Sequence, residues 1–391
     1  MLAAFGDPGH AFPAIALGRE LAARGHSVCL QTWRNWEPDV RREGMQFAPA
    51  PEYHVFPTRE RPLKPYVAAV RAARETAPLI RELEPDVVVA DVLTVAGALA
   101  AELEGRPWTT LIPHPLPLSE PGLPPYSVGA RFPRTALGRR LWSLARPLLS
   151  RGEERGRREL NGARARLGLP PLSHLHGGIS RLLALVATFP QLEYPRSEWP
   201  GSARVTGPLL WERPYGDTEL PPGPEPLVLV APSTSQDPGQ RMMRAALRGL
   251  AREPVRVLAT TNRRPPPEPL RTPPNARTVD WVSYARTMPR CAVVVCHAGH
   301  GTLARALASG LPVVGCPAGG DMAENAARAA WAGAGVSLPG RLVTPLGIRL
   351  AVRRVLADER YGRRARELAD WAATHHGPTI AAEALEEVAR R

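Results

Sequence analysis

Apolar residues in the first half of the chain fall into short runs, separated by longer stretches in which they recur every third or fourth position. Residues 2–5 form one such run. Over 13–24, Ala14, Leu17 and Leu21 share a helical face that ends at Gly25. Further strands are expected at 28–30, 86–91 and 108–112, with an alanine-rich helix running through Glu104. Strands separated by helices of this length imply parallel βαβ units, because a parallel neighbour needs a crossover of a dozen or more residues. A loop rich in Pro and Gly follows at 113–133, then an arginine-rich helical stretch ending near Gly168, then closing strands at 182–187 and 204–206.

Residues 207–226 carry Pro208, Pro214, Pro221, Pro222, Pro224 and Pro226, a density no helix or central strand tolerates, and read as a linker. The second half repeats the alternation, with strands expected at 227–231, 256–260, 278–282, 292–296 and 312–316 and a proline-rich surface loop at 263–274. The pattern predicts an α/β fold of two Rossmann-like domains, 1–206 and 227–374, whose parallel sheets face each other across a cleft. A terminal helix at 375–391 is placed to pack back on the first domain. In open α/β sheets ligands bind beyond the carboxyl ends of the strands, so chemistry is sought there.

The strongest local signal is His297-Ala298-Gly299-His300-Gly301-Thr302, between an apolar strand and a helix. A glycine turn opening a helix presents unpaired N–H groups and the positive end of the dipole to an anion. Its bland alternative is a tight βα turn. It is neither GxGxxG nor a P-loop with its lysine. Asp321 follows Pro317-Ala318-Gly319-Gly320 and reads either as a sugar-hydroxyl acceptor or as the N-cap of the next helix. Trp281, at an expected strand end, reads as a nucleobase platform or a core residue. Ser233-Thr234-Ser235 forms a hydroxyl-bearing loop at the same sheet edge, or a simple turn. In the first half, His10 lies beyond the first strand and Asp91 ends a later one. A histidine there suits a general base, and a carboxylate beside it fixes the tautomer and stabilises the imidazolium. A lone His10 could equally cap a turn or lie exposed.

Composition narrows this picture. The 44% hydrophobic and 22% charged content is that of a globular chain, and no apolar run of about 18 residues predicts a spanning helix. The opening pentapeptide is too short for a signal peptide and is broken by Gly6-Asp7-Pro8-Gly9, which points to the cytoplasm. The net charge of +13 is almost wholly arginine, Lys64 being the single lysine, and no recognition helix carries it, so nucleic acid is not the expected partner. The arginines cluster over 131–166 around Leu141, Trp142, Leu148 and Leu149, as a solvated helix face or a transient contact with anionic membrane. Cys29, Cys291, Cys296 and Cys316 form no CxxC pair and read as free, buried thiols rather than metal ligands.

Taken in order, these motifs resemble the family 1 glycosyltransferases of the GT-B fold, above all the bacterial antibiotic and natural-product enzymes. Gly9-His10-Ala11-Phe12-Pro13 through Gly25-His26 is similar to the family's opening "GHxxP…LaxrGH". Val205 to Leu209 resembles "vGPl". Asp280-Trp281-Val282, His297 to Thr302 and Pro317 to Asn325 resemble "wvP", "HgGxGT" and "PxxxDQxxNA". The resemblance spans nearly the whole chain. It implies an acceptor-binding first domain and a nucleotide-sugar-binding second one. His10 would deprotonate the acceptor hydroxyl, supported by Asp91. His297, Gly299, His300, Gly301 and Thr302 would hold the donor diphosphate with Ser235 closing over it, Trp281 and Val282 the base, and Asp321 the sugar hydroxyls.

The implied reaction is a metal-independent, inverting displacement with no cofactor beyond a UDP- or dTDP-sugar as co-substrate, by a monomer or homodimer. A hydrophobic acceptor is expected near Phe12, Trp33, His114 and Trp142, chosen by position and aromatic character. Three positions depart from the family pattern: Met322 stands in place of Gln, Ser283 in place of Pro, and Arg305 where plant-type members carry a ribose-binding Glu. Two other readings share the fold, a lipid-linked glycosyltransferase at the membrane surface and a non-catalytic nucleotide-sugar binder.

Overall fold

The computed structural model describes residues 1–51, 65–118, 120–174, 176, 178–233, 237–264 and 266–390. The first domain runs β1 (Leu2–Ala3), α1 (Pro8–Ala23), β2 (Cys29–Thr32), α2 (Glu37–Arg42), β3 (Gln46–Pro49), α3 (Pro65–Leu83), β4 (Val88–Asp91), α4 (Val95–Leu103) and β5 (Trp108–Ile112). It continues with α5 (Ala136–Ser143), α6 (Arg146–Arg166), β6 (Ala184–Val186) and β7 (Ala203–Val205). The second runs β8 (Leu227–Ala231), α7 (Arg241–Leu250), β9 (Arg256–Thr260), β10 (Ala276–Val279), α8 (Tyr284–Thr287), β11 (Val293–Cys296), α9 (His300–Ala308), β12 (Val313–Gly315), α10 (Met322–Trp331), β13 (Gly335–Ser337) and α11 (Pro345–Ala357). Helices α12 (Glu359–Thr374) and α13 (Gly377–Ala389) complete the chain.

Both sheets are wholly parallel. Their orders, β3-β2-β1-β4-β5-β6-β7 and β10-β9-β8-β11-β12-β13, reverse direction once, between β1 and β4 and between β8 and β11. Crossovers leave from opposite faces at such a reversal and open a crevice at the strands' carboxyl ends. The fold is thus the two-domain α/β architecture expected from the sequence, and it fixes in advance where each domain can hold a ligand.

Several boundaries differ from the expected ones. Helix α1 starts at Pro8 rather than residue 13, because Asp7 accepts the Gly9 N–H and Pro8 occupies the first helical position. His10 therefore sits inside the first helical turn, not in the preceding loop. Strand β10 ends at Val279, so Trp281 lies in the loop that leads to α8, whose N-cap is Ser283. The short strands β3 and β13 were not expected. Three of the four cysteines are buried and all are free. No described helix is long and apolar enough to cross a membrane.

The chain passes between domains twice, at 206–226 and again after α12. Gly207 (φ +93°) and Gly377 meet there: a Cβ on Gly377 would fall 2.6 Å from the Pro208 carbonyl oxygen. Helix α13 then packs on α1, with Ala381, Ala382 and Leu385 joining the core that holds Leu17 and Leu21. The proline-rich strap is not a loose spacer. Its extended backbone sends alternate side chains opposite ways. Trp211 is buried in the first domain and donates to Glu43 (2.8 Å), and Arg213 pairs with Asp39. Between them Glu212 accepts from Ser283 Oγ (2.5 Å) and the Tyr284 N–H (3.1 Å) at the start of α8 in the second domain.

Candidate active site

In the first domain the crevice between β1 and β4 holds a hydrogen-bonded pair. His10 Nδ1 lies 2.8 Å from Asp91 Oδ1. Asp91 is buried at the end of β4, and its second oxygen accepts from the Phe5 N–H (3.2 Å) and the Thr94 hydroxyl (3.4 Å). A carboxylate fixed at both oxygens cannot swing away, so Nδ1 carries the proton and Nε2 presents its lone pair. Burial, and the positive end of α1, oppose the imidazolium. The charge and hydrogen bond of Asp91 outweigh them, and the His10 pKa lies above the ordinary value.

Around His10 the structure gathers some of the expected aromatic residues and not others. The His114 ring centroid is 6.4 Å from that of His10, and His114 Nδ1 is 2.9 Å from both the Pro115 carbonyl and the Tyr126 hydroxyl. Burial pushes the His114 pKa down. Trp33 reaches the site through Phe5, its ring 5.1 Å from Phe5, which lies 6.0 Å from His10. Phe12 instead packs edge-on against Trp36 and Trp211 under the strap, since it points to another side of α1. Trp142 sits half-exposed on α5, and no ring contact among the described residues joins it to His10. Tyr126 was not singled out from sequence; a lone tyrosine in a proline-rich loop carries no local signal.

The second domain's crevice, between β8 and β11, is built from backbone. Gly299 is the N-cap of α9, and among the described residues no side chain caps its first turn, whose N–H groups have no partner within the helix. Gly299 has φ −55°, and a Cβ on it or on Gly301 would meet nothing within 4 Å among the described residues. Neither conformation nor protein packing therefore demands glycine at these two positions; the cleared space is what the residues provide. Thr302 follows, half-exposed, in the same turn.

The two histidines of this motif make hydrogen bonds within the protein. His297 Nδ1 accepts the Ser233 N–H (2.8 Å), so Nε2 carries the proton and donates to Asp237 Oδ2 (3.1 Å). With both nitrogens occupied and burial pushing its pKa down, His297 ties the loop after β8 to that after β11. Asp237 also accepts from the Arg241 and Met242 N–H groups at the start of α7. His300 is buried, donates Nε2–H to the Ala187 carbonyl of the first domain (3.2 Å), and has no partner for Nδ1 among the described residues. Burial, then its neighbour His114, takes its pKa down to about 4, so the ring is neutral. Ser235 lies outside the described residues.

Asp321 precedes α10 but makes no capping hydrogen bond; it accepts instead from Asn325 Nδ2 (2.9 Å). Its charge raises the proton affinity of His10 and His114, and of His300. The two crevices therefore open on one cleft. A buried strut also joins the two domains beside it. Arg328 of α10 pairs with Glu324 (2.8 Å) and, across the domains, with Glu193 (2.9 Å), while its guanidinium lies 4.3 Å over the Tyr194 ring. Glu193 in turn accepts the Leu116 N–H (2.6 Å), two residues from His114.

Trp281 is half-exposed, with the Arg263 guanidinium 5.0 Å over its ring. The Val282 side chain belongs to the core, so only its backbone is left to meet a base. Met322 is buried, Ser283 caps α8, and Arg305 is half-buried, its pKa lowered by burial against the opposing charge of Glu212. Among the described residues no three His, Cys, Asp or Glu side chains converge.

Residues 1–107 match the glycosyltransferase family 28 N-terminal domain, and 246–388 match the C-terminal domain of erythromycin biosynthesis protein CIII-like proteins. The chain is 29% identical to 4'-demethylrebeccamycin synthase of Lentzea aerocolonigenes over 97% of its length and 96% of the relative's. It is 30% identical to O-mycaminosyltylonolide 6-deoxyallosyltransferase of Streptomyces fradiae, over 99% and 96%. Its fold is similar to that of the Streptomyces sp. SF2575 glycosyltransferase SsfS6 complexed with thymidine diphosphate (TM-score 0.67, 22% identity, 99% and 98% covered). The two sheets, the shared cleft and a likeness that runs through both domains lead to one conclusion: the chain belongs to the GT-B family 1 natural-product glycosyltransferases.

Proposed function

We propose that the protein moves a sugar from a dTDP- or UDP-sugar to a hydroxyl of a hydrophobic small molecule, with inversion and without a metal. The single observation that carries this reading is the His10–Asp91 hydrogen bond at the first domain's crevice, with Asp321 of the second domain acting on the same imidazole. His10 Nε2 takes the acceptor's hydroxyl proton as the oxygen bonds to the anomeric carbon. The carbon–oxygen bond to the diphosphate breaks, and the diphosphate leaves with the electron pair. Asp91 stabilises the imidazolium formed. The open first turn of α9 meets the growing charge on the leaving group, in the cleared space beside Gly299 and Gly301. Attack from the His10 side, opposite the departing diphosphate, inverts the anomeric centre.

Trp281, once Arg263 moves off its face, offers a stacking surface for the base. Asp321 accepts from sugar hydroxyls. His114 and Trp33 flank the acceptor; Phe12 and Trp142 are not placed to do so. Binding of thymidine diphosphate by the similarly folded SsfS6 favours a dTDP-sugar as the first donor to try. The test is sugar transfer by wild type and His10→Ala across dTDP- and UDP-sugars with phenolic and polyketide acceptors. Transfer that falls at least about a hundredfold in the variant supports the mechanism. Equal transfer by both removes His10 from it, and donor binding without turnover by wild type points to a non-catalytic binder.

A further inference from the structure

The arginine-rich segment that the reaction does not use carries a second feature. Leu144 (φ −67°, ψ −20°) and Ala145 (φ −77°, ψ −12°) keep the backbone helical between α5 and α6, so the helical phase runs on from one to the other. Leu137, Leu141, Leu144 and Leu148, spaced four, three and four residues apart, therefore share one face. Their exposures are 68%, 59%, 73% and 70%. From Arg131 to Arg151 the chain carries six arginines and no Asp or Glu. None of the six takes part in an ion pair among the described residues; the nearest acids, Glu153 and Glu154, face His176 and Arg157. By helical angle Arg140 and Arg151 both lie along one edge of the leucine stripe. The other end of α6 is anchored, through buried Leu160 and Ala163 and the Arg164–Glu102 ion pair, so the stripe stands at a fixed place on the first domain.

We propose that this α5–α6 elbow is an interfacial docking surface that seats the enzyme on an anionic bilayer. A helix face of protruding leucines bordered by unpaired arginines matches a headgroup layer over acyl chains: the leucines enter the apolar zone and the guanidinium groups stay among the phosphates. Acyl chains part around each leucine, whereas a folded partner would need a pocket for every one and carboxylates for the arginines. The elbow also adjoins the loop that carries His114 and Tyr126, since a Cβ on Gly122 of that loop would touch Arg139 at 3.5 Å. The docked face thus lies beside the acceptor side of the cleft, where a membrane-dissolved hydrophobic molecule would arrive.

The test is co-sedimentation of the full chain with phosphatidylcholine vesicles and with vesicles containing about one third phosphatidylglycerol, at low and high salt. The expected result is binding to the anionic vesicles alone, weakened by salt. Both Leu141→Asp/Leu144→Asp and Arg140→Gln/Arg151→Gln should reduce it at least about tenfold, with unchanged circular dichroism and unchanged transfer to a water-soluble acceptor. The proposal is overturned if wild type ignores anionic vesicles or binds neutral ones equally. It is also overturned if the leucine variant binds as wild type does, if it loses a wild-type dimer or a protein partner instead, or if it loses transfer in vesicle-free buffer.

Discussion

The two crevices occupy the same place in their sheets and are built from opposite materials. In the first domain the chemistry sits in side chains: an imidazole, a carboxylate that fixes it, and three hydrogen bonds that fix the carboxylate. In the second it sits in backbone: a helix start without a capping side chain and two glycines whose Cβ positions are empty. The histidines there act as ties, His297 within the domain and His300 across to Ala187. The contrast fits the task proposed for each. Removing a proton needs a group of tuned basicity, whereas a leaving diphosphate needs many weak donors held still. The first crevice should thus fail when a functional group is deleted, and the second when bulk is added.

The largest effect is expected from His10→Ala: kcat/KM falls at least about a hundredfold, while thymidine diphosphate affinity, read by calorimetry, stays within about twofold. Arg328→Met strikes the strut that joins the halves. It leaves Glu193 and Glu324 buried without their cation, and denaturant melts should show a loss of roughly 3–5 kcal/mol. Asp91→Asn should lower the rate by at least about tenfold and shift its pH profile. A base must be neutral to act, so activity rises as pH passes up through the His10 pKa, which lies above the ordinary value. Without the Asp91 charge burial dominates, the pKa drops, and the acidic limb of kcat/KM moves to lower pH. The smallest effect belongs to Gly301→Val. With open space around that position the melting temperature should hold, while the donor KM rises severalfold and kcat changes less. An unchanged donor KM would take the diphosphate away from α9.

Much of this was legible in the chain because parallel βαβ units place chemistry at predictable points. His10, Asp91 and the 297–302 motif follow apolar runs, and the fold carries them to the sheet reversals. The start of α1 was missed by an expectation that began at residue 13, although Asp7-Pro8 carries its signal, a cap followed by a proline at the first helical position. What sequence could not give depends on long-range contact. The Arg328–Glu193 strut spans 135 residues and the His300–Ala187 tie 113. Strand β13 is three residues long and β3 is polar at its edge, too little for a period to register. The 281 loop was misread as strand because Val279 and Val282 look continuous, whereas the turn is set by Ser283 capping α8. Aromatic character alone also does not tell where a ring points: Phe12 packs under the strap, while Tyr126 meets His114.

The division of labour between the crevices is tested most directly by one pairing of measurements on one variant: single-turnover transfer by His10→Ala at a donor concentration shown by calorimetry to saturate it. The account predicts normal saturation and a chemical step slowed at least about a hundredfold. A variant that saturates and transfers sugar at the wild-type rate would contradict it, and the base would have to be sought elsewhere in the cleft.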